Sequence, residues 1–376
     1  MVDMQRLWIV TELFPPDETS TGYIMGEIAN AMVHKYKVGV ICGPEIYDKR
    51  KKLDIEHKFT LNESIDIYRT KGTGLDKNTT RGKFISFILM SKKMIALVRK
   101  HVRKADKVLM VTNPAPMVPL MARLKKKKGF DLYILVHDVF PENTRPAGLK
   151  LPMYRLIKYI FNKAYSKADQ IIALGRDMAD VMAQKVNSAL KNTAGPQITI
   201  IENWADIDNI KPQPFPEGKI ILEYAGNIGR VQGLDKVMDR LPDDIEFHLY
   251  GTGAMENVLK ARKQKNVFFH GPYFRSQQNE VLAACNIALV TLQKGMYGLG
   301  VPSKTYNIMA SGRPILFLGP KGSEIDLLVR ERCIGYCEWP ENWDKEVLTE
   351  MGKRARRLAE TEYSENKILE KFLHTI

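Results

Sequence analysis

Apolar residues in this chain recur in short unbroken runs rather than in strict alternation with polar ones. Runs at 7–11, 38–42, 65–68, 107–111, 132–136, 170–173 and 198–201 predict the strands of a first half. A second series follows at 220–224, 245–250, 267–269, 287–290, 315–318 and 335–337. Continuous apolar strands of this length belong in parallel sheets covered on both faces. Between them, amphipathic segments predict helices near 22–34, 84–104, 116–127, 153–166 and 176–187, with a basic helix near 344–360. Residues 203–218 carry Pro212, Pro214 and Pro216 without any period and read as a linker. At 376 residues the chain is too long for one ordinary core. It is expected to be α/β, with two doubly wound Rossmann-like domains facing across a cleft: 1–202, the linker 203–218, and 219–360. Residues 361–376 would form a last helix able to pack back on the first domain.

In doubly wound sheets ligands bind beyond the carboxyl ends of the strands, so the motifs there matter most. The segment 295–316 is the densest. Gly295, Gly298 and Gly300 lead through Leu299 and Val301 to Pro302, which suits the first position of a helix because it has no N–H to leave unpaired. Ser303 and Lys304 then fall in a first turn whose free N–H groups attract an anion. A helix at 305–310 ends at Gly312, and Pro314 opens the next strand. The stretch suits a phosphate or diphosphate; it is equally compatible with a crossover whose Gly and Pro are only punctuation.

Other strand ends carry similar signals. After 7–11 come Phe14-Pro15-Pro16 and then Ser20-Thr21-Gly22, where small residues would let a ligand reach the backbone, or where a helix is simply capped. After 132–136 come His137-Asp138 and Phe140-Pro141-Glu142-Asn143. A histidine there can meet a ligand in the crevice, or merely hold the local loop. The second half opens with a glycine-rich loop, Gly226, Asn227, Gly229 and Gly233, in which Arg230 adds a cation for oxyanion recognition. The next strand ends in Gly251-Thr252-Gly253. One GxG is weak evidence, but three glycine-rich loops in one domain, one of them bearing Lys304, favour a nucleoside diphosphate.

The net charge of +14 adds a polyanionic partner to this picture. Much of the excess lies before residue 170, at 49–52, 92–107, 125–128 and 150–167. No nucleic-acid module is present in the spacing, so no nucleic acid is expected as a partner. No apolar run reaches the roughly 20 residues of a membrane span, and the run at 6–14 lacks a cleavage pattern. Four cysteines without metal-ligand spacing suggest a reducing cytoplasm.

Taken in order, these motifs resemble those of the family 4 glycosyltransferases, retaining enzymes of GT-B fold. The similarity is greatest to the bacterial surface-polysaccharide branch that handles amino and deoxy sugars. It rests on the Phe14-Pro-Pro loop, His137-Asp138 with Pro141-Glu142, the boundary motif Glu202-Asn203-Trp204-Ala205-Asp206, the loop 224–233, Gly251-Thr-Gly253 and Val301-Pro-Ser-Lys304. The resemblance implies a nucleotide-sugar donor, usually UDP-linked, on the carboxy-terminal domain, and a saccharide or lipid-linked acceptor on the amino-terminal one. It implies no cofactor and no required metal. His137 would touch the transferred sugar, with Asp138, Gly298, Leu299 and Gly300 beside it. Thr21 and Gly22 would face the diphosphate, Tyr273 would border the base, and Gly226, Asn227, Gly229, Gly251, Gly253, Val301, Pro302, Ser303 and Asn307 would complete the donor site.

The chain departs from the family in two places. The family's two glutamates fall on Leu299 and Asn307, and its usual Arg and Lys in the first loop of the donor domain fall on Asn227 and Gln232. Arg230 and Lys304 could then carry the charge of the departing diphosphate, with attack on the same face of the sugar. Two rival functions stay open: a nucleotide-sugar epimerase of the same fold, and a non-catalytic glycosyltransferase-like subunit. The clustering of cations with apolar residues at 81–90 and 151–161 further predicts a peripheral protein on the anionic inner face of the plasma membrane.

Overall fold

The computed structural model describes residues 4–17, 19–45, 59–72, 80–190 and 194–376. The basic run at 49–52 lies outside these residues, as do the side chains of Arg81, Lys83 and Phe84. The chain divides into two compact units, Met1–Glu142 with Leu151–Ile201 and Leu369–Ile376, and Asn143–Lys150 with Glu202–Ile368.

In the first unit the elements run β1 (Arg6–Thr11), α1 (Ser20–Met32), β2 (Lys37–Cys42), β3 (Asp66–Arg69), α2 (Thr80–His101), β4 (Lys107–Val111), α3 (Met117–Lys128), β5 (Asp131–Val136), α4 (Tyr154–Tyr165), β6 (Gln170–Ala173), α5 (Arg176–Asn187) and β7 (Gln197–Ile200). The seven strands form one sheet in the order β3-β2-β1-β4-β5-β6-β7. Every pairing in it is parallel. Leu7, Ile9, Val108, Leu132 and Ile171 are fully buried. The apolar runs are therefore continuous because helices cover both faces. The strand order reverses between β1 and β4, which opens a crevice at their carboxyl ends.

The second unit repeats the plan with β8 (Ile221–Ala225), α6 (Leu234–Met238), β9 (Glu246–Tyr250), α7 (Glu256–Lys260), β10 (Val267–Gly271), α8 (Gln278–Ala283), β11 (Ile287–Thr291), α9 (Lys304–Ala310), β12 (Ile315–Leu318), α10 (Glu324–Arg332), β13 (Gly335–Tyr336), α11 (Lys345–Thr361) and α12 (Glu365–Thr375). Its six strands are ordered β10-β9-β8-β11-β12-β13, so the reversal falls between β8 and β11. Residues 203–218 belong to this unit. The carbonyls of Gln213 and Pro214 accept from the guanidinium of Arg313 at 3.0 and 2.9 Å. Arg313 is buried and stacks 4.3 Å from the Phe215 ring. A proline-rich strap makes few backbone hydrogen bonds of its own, and one buried arginine satisfies it here. The chain's last residues join the first unit. There Lys35 Nζ donates to the Leu373 carbonyl at 2.6 Å, while Tyr36 and Lys107 both donate to that of Ile376.

One motif acquires a structural role in this description. Glu142 accepts from Lys185 Nζ of α5 at 2.6 and 2.7 Å and pairs with Lys158 of α4 at 3.2 Å. Lys185 is buried, and desolvation pulls its pKa down against the opposing pull of the Glu142 carboxylate. Truncating one partner of a buried pair strands the other charge and costs about 3–5 kcal/mol. Glu142→Ala is therefore expected to lose stability on that scale in urea denaturation. A midpoint unchanged within error would show that Lys185 finds another partner or sheds its proton cheaply.

Candidate active site

In the first unit three strand ends meet at the crevice. Helix α1 follows β1 and is capped by Thr19, whose hydroxyl accepts from the Gly22 N–H at 3.1 Å. Ser20, Thr21 and Gly22 therefore form its first turn. A Cβ on Gly22 would sit 2.6 Å from the Asp17 carbonyl, so close backbone packing already requires this glycine. Thr21 Oγ1 lies 3.2 Å from His137 Nδ1, so the structure brings these two predicted residues together. Thr112, just after β4, accepts from the backbone N–H groups of His137 and Asp138 at 3.1 and 3.2 Å. The loop is thus held by Thr112, and the imidazole is not needed to hold it. His137 Nε2 is shielded and makes no hydrogen bond among the described residues. Burial drives its pKa from 6.5 down to about 4, so the ring is neutral at physiological pH.

A neutral buried histidine stabilises the fold fully above about 6.5, and that contribution is lost as pH falls through about 4. His137→Ala is expected to keep nucleotide binding and most of its thermal stability near neutral pH while losing transfer by about 10²-fold or more. Parallel loss of melting temperature and activity would assign the ring to loop structure instead.

In the second unit the glycine-rich loops interlock at the carboxyl ends of β8, β9 and β11. Gly251 sits at φ 123°, and a Cβ there would lie 2.0 Å from the Gly226 carbonyl. Likewise a Cβ on Gly253 would meet the Ile228 carbonyl at 2.2 Å. Ile228 N–H donates to the Thr252 carbonyl at 2.9 Å, and Gln293 N–H to that of Val231 at 2.8 Å. The loops after β9 and β11 are therefore both tied to the loop after β8. Arg230 stands exposed in a 3-10 turn, with its carbonyl held by Gln293 Nε2 at 2.5 Å. Asn227 is exposed, and its carbonyl accepts from Tyr224 Oη at 2.8 Å. Pro302 precedes α9, its carbonyl accepting from Thr305 N–H at 3.2 Å. Ser303 caps nothing with its side chain. Helix α9 has only seven residues, so its dipole adds little and the charge of the site rests on Lys304 itself.

Lys304 Nζ lies 3.3 Å from the centroid of the Tyr224 ring and makes no hydrogen bond among the described residues. Burial lowers its pKa to about 7, opposed by the carboxylate of Glu223. Glu223, which the sequence reading passed over, is 1% exposed in the middle of β8. Among the described residues its two carboxylate oxygens accept no hydrogen bond. Desolvation raises its pKa to about 8, against the pull of Lys304 and Arg313. The available signal was a lone carboxylate in an otherwise apolar parallel strand. Tyr273 follows β10; burial and the Glu223 charge push its phenol up to about 12. Among the described residues no three His, Cys, Asp or Glu side chains converge as metal ligands.

No protein-family model matches the chain. It is 31% identical to the probable glycosyltransferase WbjE of Pseudomonas aeruginosa across 98% of this chain and 97% of that protein. The chain belongs to the GT-B glycosyltransferases. It is also 26% identical to the putative colanic acid biosynthesis glycosyl transferase WcaI of Escherichia coli K12, over 73% of this chain and 74% of that one. Its fold matches that of Anabaena Alr3699/HepE, solved in complex with UDP and glucose. The TM-score is 0.67 at 12% identity, covering 99% of each chain.

In this glycosyltransferase Leu299 and Asn307 both have structural partners. Leu299 is buried in the loop after β11, its N–H donating to the Met296 carbonyl at 3.1 Å, with Gly298 beside it at φ 65°. Asn307 Oδ1 accepts from the Asp206 N–H at 3.0 Å, and its Nδ2 donates to Gln278 at 3.3 Å. Asp206 in turn pairs with Arg275 at 3.2 Å. Asn307 thus anchors the boundary motif to α8 and α9 with an amide engaged at both ends.

Proposed function

We propose that this glycosyltransferase is a retaining, family 4 type enzyme that moves a sugar from a UDP-sugar to a saccharide or lipid-linked acceptor in surface-polysaccharide synthesis. The observation that carries this reading is Lys304. Among the described residues its ammonium has no hydrogen-bond partner, and it stands where three interlocked glycine-rich loops close the strand ends of the second unit. Such a cation suits a diphosphate, and Arg230 can close on it from its exposed turn. Cleavage of the donor builds negative charge on the β-phosphate, and preorganised cations stabilise that charge most where water is excluded. His137, neutral and with no partner for Nε2 among the described residues, is the proposed contact of the transferred sugar. The names of WcaI and of the HepE complex point the same way for polysaccharide and UDP.

Incubation with a panel of nucleotide-sugars, with and without a lipid-diphosphate acceptor, tests the reading. Transfer that requires acceptor and keeps the donor's anomeric configuration supports it. Conversion of free nucleotide-sugar without acceptor would make the protein an epimerase, and no turnover with any donor would make it a binding subunit.

We further propose that the enzyme works at an anionic membrane face through the helical layer α2, α3 and α4. These helices pack side by side in that order and contain no Asp or Glu. Helix α4 buries Phe161, Ala164 and Tyr165, and turns Leu156 (50% exposed), Tyr159 (56%) and Ile160 (43%) outward beside Arg155, Lys163 and Lys167. Among the described residues no helix is long and apolar enough to cross a membrane.

A further inference from the structure

We infer that Thr21 is a positioning residue for sugar transfer: its hydroxyl accepts the Nδ1–H of His137 and so fixes the tautomer in which Nε2 offers a lone pair to the transferred sugar. The inference rests on the assignment of His137 to that sugar. A neutral imidazole carries one N–H, and the partner of one nitrogen decides what the other can do. Burial keeps this ring neutral at physiological pH, and Thr21 Oγ1 stands 3.2 Å from Nδ1.

Two arrangements satisfy that contact. In one, Thr21 O–H donates to Nδ1 and the ring proton sits on Nε2, a shielded atom with no acceptor among the described residues. In the other, Nδ1–H donates to Thr21 and only a lone pair is left unpaired at Nε2. The hydroxyl hydrogen then turns away to solvent, which it can do because Thr21 is only half-buried. Buried N–H groups are left unpaired more rarely than acceptors are, so the site favours the second arrangement. A lone pair at Nε2 accepts and cannot donate. The transferred sugar therefore presents an O–H or N–H there, a role its ring oxygen cannot fill.

Neither backbone needs this contact. Thr19 caps α1 by accepting from the Gly22 N–H at 3.1 Å, and Asp17 Oδ1 holds the Thr19 N–H at 3.0 Å. On the other side Thr112 holds the N–H groups of His137 and Asp138. Helix and loop are each fixed by other residues, and Thr21 and His137 meet through their side chains alone. What the contact adds is the orientation of the ring and the choice of the nitrogen that bears its proton.

The test reads that choice directly, by two-bond ¹H–¹⁵N correlation in protein labelled with ¹⁵N at histidine. The His137 signals are assigned by their loss in His137→Ala. At neutral pH the wild type is expected to show a pyrrole-type shift at Nδ1 and a pyridine-type shift at Nε2, the reverse of the tautomer that predominates in free histidine. Thr21→Val, which keeps the shape and removes the hydroxyl, should return the ring to the Nε2–H form and slow transfer about tenfold. Thr21→Ser should restore both. In a His137→Ala background the same Thr21→Val change should cost nothing more, because the hydroxyl acts only through the ring. A wild-type ring protonated at Nε2, a tautomer unmoved by Thr21→Val, or losses that multiply in the double variant would overturn the inference. If Thr21→Val does not fold, the wild-type spectrum decides alone. Wild-type transfer by His137→Ala would instead overturn the sugar assignment, with the tautomer spectra standing unaffected.

Discussion

Lys304→Ala is expected to lower the rate of sugar transfer by about 10²–10³-fold, the usual consequence of removing one preorganised donor to a developing oxyanion. The same substitution should leave the melting temperature within a few degrees of the wild type. Among the described residues its ammonium makes no hydrogen bond, so its removal orphans no donor or acceptor there. The one group left without its counter-charge is Glu223. That carboxyl already sits high, at about 8, through desolvation, and can take up a proton at little cost. Initial rates with a fixed donor and acceptor, read beside a thermal melt, check both halves. A rate near that of the wild type in a folded protein would sink the proposed role. A collapse of melting temperature together with activity would turn the lysine into a structural element.

The architecture was legible because burial writes itself plainly into parallel strands. The apolar runs at 107–111, 170–173 and 315–318 coincide with β4, β6 and β12, since each is covered on both faces and no polar residue interrupts it. Ends drifted by a residue where a polar side chain still belongs to the ladder, as with Lys37 opening β2 and Asp131 opening β5. Helix α1 begins two residues before its expected start because Thr19, and not a later residue, supplies the cap.

The candidate site was legible only where chemistry and turn coincide. Gly251 and Lys304 announce themselves by residue type at strand ends. Pairing across distance does not. Glu142 read as part of a motif near a ligand, yet its oxygens hold Lys185, 43 positions away. Asn307 read as a donor-site residue standing where the family has a glutamate, yet its amide is tied to Asp206, 101 positions earlier. Glu223 was hidden for the opposite reason: a carboxylate inside a strand looks like an interruption until the charges of Lys304 and Arg313 that act on it are known.

Binding to anionic vesicles is the other large effect expected, and it should fall steeply with salt. Each Lys or Arg close to an anionic surface contributes about 1 kcal/mol. Arg123, Lys126 and Lys127 on α3, with Arg155 and Lys163 on α4, all face solvent, and the layer carries no acidic residue to offset them. Screening beyond a Debye length of about 8 Å removes most of that attraction at physiological ionic strength and above. The apolar share is carried by Leu156, Tyr159 and Ile160, which half-emerge on the same side of α4 at helical spacing. Burying the exposed half of each aliphatic side chain adds about 1 kcal/mol. Leu156→Glu combined with Ile160→Glu should therefore weaken binding about tenfold or more without unfolding the protein, because neither side chain is part of the buried core. Co-sedimentation with anionic and neutral vesicles at low and high salt measures both contributions. Failure to bind either kind of vesicle at low salt would reduce the layer to an ordinary solvated surface. Salt-sensitive binding that ignores the double substitution would place the contact on the basic residues of α2 and α3, with α4 left in water.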